Sequence, residues 1–134
     1  MAGYSGKPLA AKLDIKPGHR VLLRGATAGF AALLAPLPPE VTFVTGRARA
    51  VDCAMLFTTT ARDLEREFSP LAARLTPAGL LWVAWPKQAS RVETDLTESV
   101  VRRIGLATGL VDVKVCAVTE VWSGLKFVRR LKDR

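Results

Sequence analysis

Two kinds of hydrophobic spacing alternate along this chain. Short apolar or β-branched runs, Val21–Gly25, Val41–Thr45, Cys53–Phe57 and Leu80–Trp85, read as strands. Cys53–Phe57 is apolar throughout, as expected of a strand covered on both faces. Helical spacing appears in Leu64, Phe68, Leu71 and Leu75, four, three and four apart, behind a Thr60 able to cap the start. Ser69-Pro70 should split or kink that helix, and Thr76–Gly79 should end it. Leu96, Val100, Ile104 and Ala107 give a second such face, closed near Gly109; Ser90 with Glu93 has capping-box spacing, and Thr94 or Asp95 are further caps. A shorter helix, Phe30–Ala35, stops at Pro36, Pro38 and Pro39. The runs Val111–Val118 and Leu125–Leu131, joined by residues 119–124, read as an antiparallel hairpin.

Strands alternating with helices and closing in a hairpin predict a single α/β domain. Its sheet should be mostly parallel and Rossmann-like, with helices on both faces and the C-terminal hairpin at one side. The expected division is an N-terminal arm over 1–19 and the domain over 20–134. One connection is too short for the pattern: only Gly46–Asp52 lies between the second and third strands, where a parallel crossover usually takes a dozen residues or more. Either the segment crosses nearly extended or those two strands are not parallel.

The 134 residues suit one domain, and 49% hydrophobic with 24% charged residues is a globular mix. No apolar run approaches the ~20 residues of a membrane span, and no secretory h-region opens the chain. Cys53 and Cys116 sit in separate strand-like runs and make no disulfide framework, so a reducing cytoplasm is expected. Twenty Lys and Arg against twelve Asp and Glu leave a net charge of +8. That charge permits nucleic-acid binding, but no basic helical stripe or zinc-finger spacing accompanies it. The densest cluster, Lys126, Arg129, Arg130, Lys132 and Arg134, reads as charge guarding a strand edge rather than as a nucleic-acid site.

The segment Val21–Gly29, the helix and strand over Leu71–Trp85 and the terminal hairpin together resemble the class I S-adenosylmethionine-dependent methyltransferase scaffold. More closely, Ala2–Leu9, Leu81–Lys87 and Val121–Phe127 resemble a family of short bacterial proteins known as a domain of unknown function, which implies no activity. The methyltransferase family carries an acid on its first strand, then three glycines in G-x-G-x-G spacing. Here Gly25 and Gly29 hold the outer places, Thr27 the middle one, and Leu23 stands where the acid would be. The family's second acid, which grips the ribose hydroxyls, is replaced by Thr45-Gly46. The chain is therefore expected to hold no cofactor; the alternative is S-adenosylmethionine in an atypical grip through Gly25, Thr27 and Thr58.

Ligands of open α/β sheets gather at the carboxyl ends of the parallel strands. That edge should collect Gly25, Thr27, Gly29, Thr58, Trp85 and Lys87, and the hairpin should add Trp122, Ser123 and Lys126. Two tryptophans, two lysines and several hydroxyls suit a small anionic or nucleotide-like ligand. His19 should lie at the opposite edge, and Asp95 is either a helix cap or a general base. The expected role is a non-catalytic ligand-binding or interaction module. A small methyltransferase and a basic nucleic-acid-associated protein are the alternatives.

Overall fold

The structure, a computed structural model, describes residues 7–134; the Ala2–Gly6 part of the expected arm lies outside them. The apolar runs form six strands, β1 (Arg20–Arg24), β2 (Thr42–Val44), β3 (Val51–Phe57), β4 (Leu75–Pro86), β5 (Val111–Ala117) and β6 (Trp122–Val128). Four helices join them: α1 (Leu9–Lys12), α2 (Phe30–Leu33), α3 (Ala61–Ala72) and α4 (Glu98–Leu106). The sheet order is β2-β1-β3-β4-β6-β5, parallel from β2 to β4 and antiparallel at β6 and β5. This is the mostly parallel, Rossmann-like architecture that the alternating pattern predicts.

Each face of the sheet carries its own apolar layer. On one, Leu22, Ala54, Leu56, Leu81, Val83, Leu125 and Phe127 meet Leu64, Phe68 and Leu71 of α3 and Val101 and Ile104 of α4. On the other, Val21, Cys53, Met55, Trp82 and Ala84 meet Ala10 of α1, Leu13, Ile15, Phe30 of α2 and Leu34. Residues 9–15 thus pack into the core ahead of the expected boundary at residue 20. A lysine pair fastens that segment. Lys126 and Lys114, neighbours across β6 and β5, both reach the Asp14 carboxylate, at 2.7 and 3.3 Å. Lys114 also donates to the Lys12 carbonyl, and the Trp82 indole donates to the Leu13 carbonyl at 2.9 Å.

The short connection resolves in favour of the extended crossing. Val44, Leu22 and Ala54 lie level, so the chain must descend only the three residues from Ala54 to Val51 and move two strands sideways. That is roughly 14 Å, within the ~20 Å reach of six extended residues. Ala48 packs against the α3 layer as the segment passes. Guanidinium groups take the carbonyls that a helix would have satisfied: Arg24 and Arg74 both donate to the Gly46 carbonyl, and Arg20 donates to that of Arg49.

Several local expectations are corrected. Pro70 lies in the last turn of an unbroken α3, where the amide it lacks is the only loss. Thr76–Gly79 is a bulge inside β4, with one residue of β3, Asp52, facing four of β4. Thr97, rather than Ser90, Thr94 or Asp95, caps α4, accepting from the Val100 amide at 3.2 Å. β6 lies between β4 and β5, so the C-terminal cations that follow it guard no open strand edge.

Burial raises the pKa of the Asp14 carboxyl, but the hydrogen bond and charge of Lys126, with the charge of Lys114, outweigh it and hold the pKa below the usual 3.8. This contribution is complete above about pH 4 and is lost as pH falls through the lowered pKa. Asp14→Asn, which suits the left-handed backbone there (φ 61°), should therefore cost about 2 kcal/mol at neutral pH by leaving Lys126 uncompensated. Urea unfolding at stepped pH should show the two proteins converging as pH drops below about 4.

Candidate functional site

The parallel strands β1 and β3 end side by side, and the loop after β1 turns sharply because two of its residues are glycines. Gly25 has φ +76°, and a Cβ there would stand 2.5 Å from the Phe57 carbonyl oxygen. Only glycine lets the loop lie this close to the end of β3. Gly29 has φ +87° with open space where its side chain would be, so conformation alone demands glycine. Between them Thr27 and Ala28 are exposed.

Beneath this loop three aromatic rings meet edge to face. Phe30 lies 4.8 Å from Phe57, and Phe57 lies 5.3 Å from Trp122, between ring centroids. Phe30 and Phe57 were not among the residues expected from sequence. The signal was present, since Phe57 continues the alternation Cys53, Met55 toward the same face.

The expected site residues separate into three groups. Gly25, Thr27, Gly29, Thr58 and Trp122 gather around the ends of β1 and β3. Thr58 is buried, its amide donating to the Ala84 carbonyl and its hydroxyl reaching the Thr60 carbonyl at 3.4 Å. Trp85, Ser123 and Lys87 stand at the end of β4. There Trp85 pairs with Ser123, and the Lys87 amide donates to the Val121 carbonyl at 2.8 Å. Trp85 is only 5% exposed and belongs to the α3–α4 layer, whereas Trp122 belongs to the opposite one, so the two indoles cannot enclose one ligand. Lys126 is not at the edge: it pairs with Trp82 in mid-sheet and is bound to Asp14. The strand containing it begins three residues earlier than its hydrophobic run indicates, which moves Lys126 down the sheet.

The remaining candidates take structural positions. The Asp95 carboxylate accepts the Ala61 amide at 2.8 Å, so with Thr60 it caps α3. The neighbouring Thr94 hydroxyl donates to the Thr59 carbonyl at 2.6 Å and ties the same loop across the top of the sheet. His19 precedes β1 at the opposite edge, its Nδ1 accepting from the Lys16 amide. Burial pushes the Cys53 thiol up to about 12 and raises that of Cys116, so neither is a nucleophile at neutral pH. No group of three metal-binding side chains occurs among the described residues. A groove of about 320 Å³ between α3 and α4, lined by Glu65, Phe68, Arg103, Ile104, Ala107 and Thr108, shares no residue with the glycine-loop edge. No helix of the described residues is long and apolar enough to cross a membrane.

Comparison with solved structures places this geometry in a class: its fold is that of the S-adenosylmethionine-dependent methyltransferases. A SAM-dependent methyltransferase from Aquifex aeolicus is 15% identical, with a TM-score of 0.62 over 89% of this chain and 86% of its own. Magnesium protoporphyrin IX methyltransferase (ChlM) from Synechocystis PCC 6803 with bound SAM is 14% identical, with a TM-score of 0.62 over 91% and 74%. Aeropyrum pernix fibrillarin in complex with natively bound S-adenosyl-L-methionine is 15% identical, with a TM-score of 0.57 over 95% and 71%. No protein-family model matches the sequence, and no curated protein does. The expectation of a chain without a cofactor is corrected by these structures, because two of the three hold S-adenosylmethionine on this same fold.

The residues present fit such a ligand in part. The glycine loop is turned and open as a close backbone approach requires. At the end of β2, however, Thr45 and Gly46 offer no carboxylate, and the Gly46 carbonyl already holds two guanidinium groups.

The two glycines should respond differently to alanine. Gly29→Ala meets only the left-handed strain, about 1–2 kcal/mol. Gly25→Ala adds a collision with a backbone carbonyl and should cost about 3 kcal/mol or more. Denaturant midpoints of the two variants check this order.

Proposed function

We propose that this protein binds an S-adenosyl ligand, S-adenosylmethionine or its demethylated product, at the glycine-loop edge, and that its role is binding rather than methyl transfer. The carrying observation is the loop itself: positive φ at both Gly25 and Gly29, against the end of β3, with open space at Gly29. Thr27, the Thr58 backbone and the loop amides would hold the ligand, with the Phe57–Trp122 aromatic wall behind them. The structures of this fold solved with that ligand support the choice of chemistry. The binding role is supported by the position of the candidate base: the Asp95 carboxylate is engaged with the Ala61 amide.

Missing one charge-assisted contact, the ribose should be held weakly. Such hydrogen bonds contribute about 1.5–3 kcal/mol, roughly tenfold or more in affinity. Calorimetric titration with S-adenosylhomocysteine should show saturable, high-micromolar binding to the wild-type protein. Thr45→Asp should tighten it about tenfold or more, and Thr45→Asn should do so by less. Silence of both wild type and Thr45→Asp at millimolar ligand would overturn the proposal.

A further inference from the structure

The amino ends of the parallel strands form the sheet's other edge, opposite the glycine loop, and the fold gathers there cations that are scattered in sequence. Lys16 lies in the loop before β1, Arg20 opens β1, and Arg49 lies just before β3. β6 is antiparallel to β4, so its last residue, Val128, pairs with Leu80 near that edge, and Arg130, Lys132 and Arg134 follow it. All six are exposed. The Arg20 guanidinium donates to the Arg49 carbonyl at 3.2 Å and ties β1 to the segment before β3, while that of Arg134 donates to the Arg129 carbonyl at 3.0 Å within the segment after β6. The carboxylates of the same edge are Glu40, Asp52, Asp112 and Asp133; Asp112 is held by the Arg102 guanidinium at 2.8 Å. Asp52 is engaged, accepting from the Arg20 amide at 2.8 Å and the Thr76 hydroxyl at 3.3 Å.

We infer that this amino edge is a docking surface for the phosphate backbone of a nucleic acid. Three observations carry it. The positive charge is concentrated on one edge, which draws a polyanion more strongly than the same charge dispersed. Four of the six cations are arginines, whose planar fork matches phosphate oxygens. The width also fits: from β1 to β6 is three strand spacings, about 14 Å, and a nucleic-acid strand presents about four phosphates over that distance. The guarding of a strand edge does not explain the C-terminal cations, because β6 is an interior strand. Leu131, 80% exposed among them, is a single apolar side chain and a poor anchor for a lipid surface. Backbone contacts of this kind position a nucleic acid without reading its bases, so binding should be independent of sequence.

The test is fluorescence anisotropy with a labelled duplex of about 20 base pairs and arbitrary sequence, long enough to cover the edge several times over. Four phosphate contacts predict a log–log salt slope of about −3.6, or about 100-fold weaker binding as salt rises from about 50 to 200 mM. The triple variant Arg49→Glu, Arg130→Glu, Lys132→Glu should lose at least tenfold at the lower salt. Arg47→Glu, Arg62→Glu, Arg91→Glu reverses as many exposed charges elsewhere and should stay within about threefold of wild type if location matters. Circular dichroism melts establish that both variants are folded. Saturating S-adenosylhomocysteine should leave duplex binding unchanged, which separates this surface from the glycine-loop site. Equal losses in the two variants, or no duplex binding at about 50 mM salt, would overturn the inference. Binding to phosphatidylserine vesicles without binding to the duplex would overturn it in favour of a lipid surface.

Discussion

The segment Thr45–Ala50 must return the chain from the end of one parallel strand to the start of another without a helix to satisfy its own carbonyls. Its solution is side-chain donation. Arg24 and Arg74 converge on the Gly46 carbonyl, and Arg20 takes that of Arg49. Glu67 on α3 faces Arg24 at 3.2 Å and partly offsets the two like charges that meet there. Much else follows from this arrangement. β2 is held to three residues because a longer strand would put its end out of reach of β3. The space usually given to a crossover helix closes against α3 through Ala48. The position at the end of β2 where an acid would grip a ribose is given over to the turn that starts the crossing. A carboxylate free to bind ligand and a carbonyl clamped by two guanidinium groups are competing uses of the same few residues.

The sequence exposes this fold unevenly, and the reasons are physical. Strands such as Cys53–Phe57 are legible because both of their faces are buried, which leaves an unbroken apolar run. The α3 face is legible through its period, and its Thr60 cap is where the pattern puts it. Hidden from the pattern are features set by partners far along the chain. Thr76–Gly79 looks like a terminator, since proline and glycine usually interrupt a ladder, yet it bulges within β4. Trp122 to Gly124 look like a turn because serine and glycine rarely build strands. They pair with β4 because Gly124 leaves room for Val118 and Trp82: a Cβ there would stand 2.7 Å from a Val118 methyl and 3.1 Å from the indole ring. That early start of β6 is also why Lys126 lies in mid-sheet while Trp122 and Ser123 lie at its edge.

The two edges of the sheet divide the protein's chemistry. The carboxyl edge is shaped by backbone: glycines in left-handed conformations, strand ends and an aromatic floor, with formal charges of both signs in Arg24, Lys87, Arg91, Glu93 and Asp95. The amino edge is shaped by side-chain charge drawn from segments that share nothing in sequence but their distance from the glycine loop. A single count of +8 along the chain conceals this polarity. A sequence scan for basic stripes passes over it, because no one helix or run carries the charge; strand order assembles it.

Asp14 joins the two ends of the chain in a different sense. Its partners Lys114 and Lys126 lie 100 and 112 residues further on, in the two strands that follow the rest of the sheet in sequence. The face that Leu13 and Ile15 cover therefore cannot be sealed until β5 and β6 have been made. Until then Trp82 and its neighbours on that side have no lasting cover. The order in which the protein is made thus runs against the order in which its core can close. Contacts of this span slow folding because the chain must be ordered before they repay the cost. The period of greatest exposure to wrong partners would then come during elongation, well before any ligand is met.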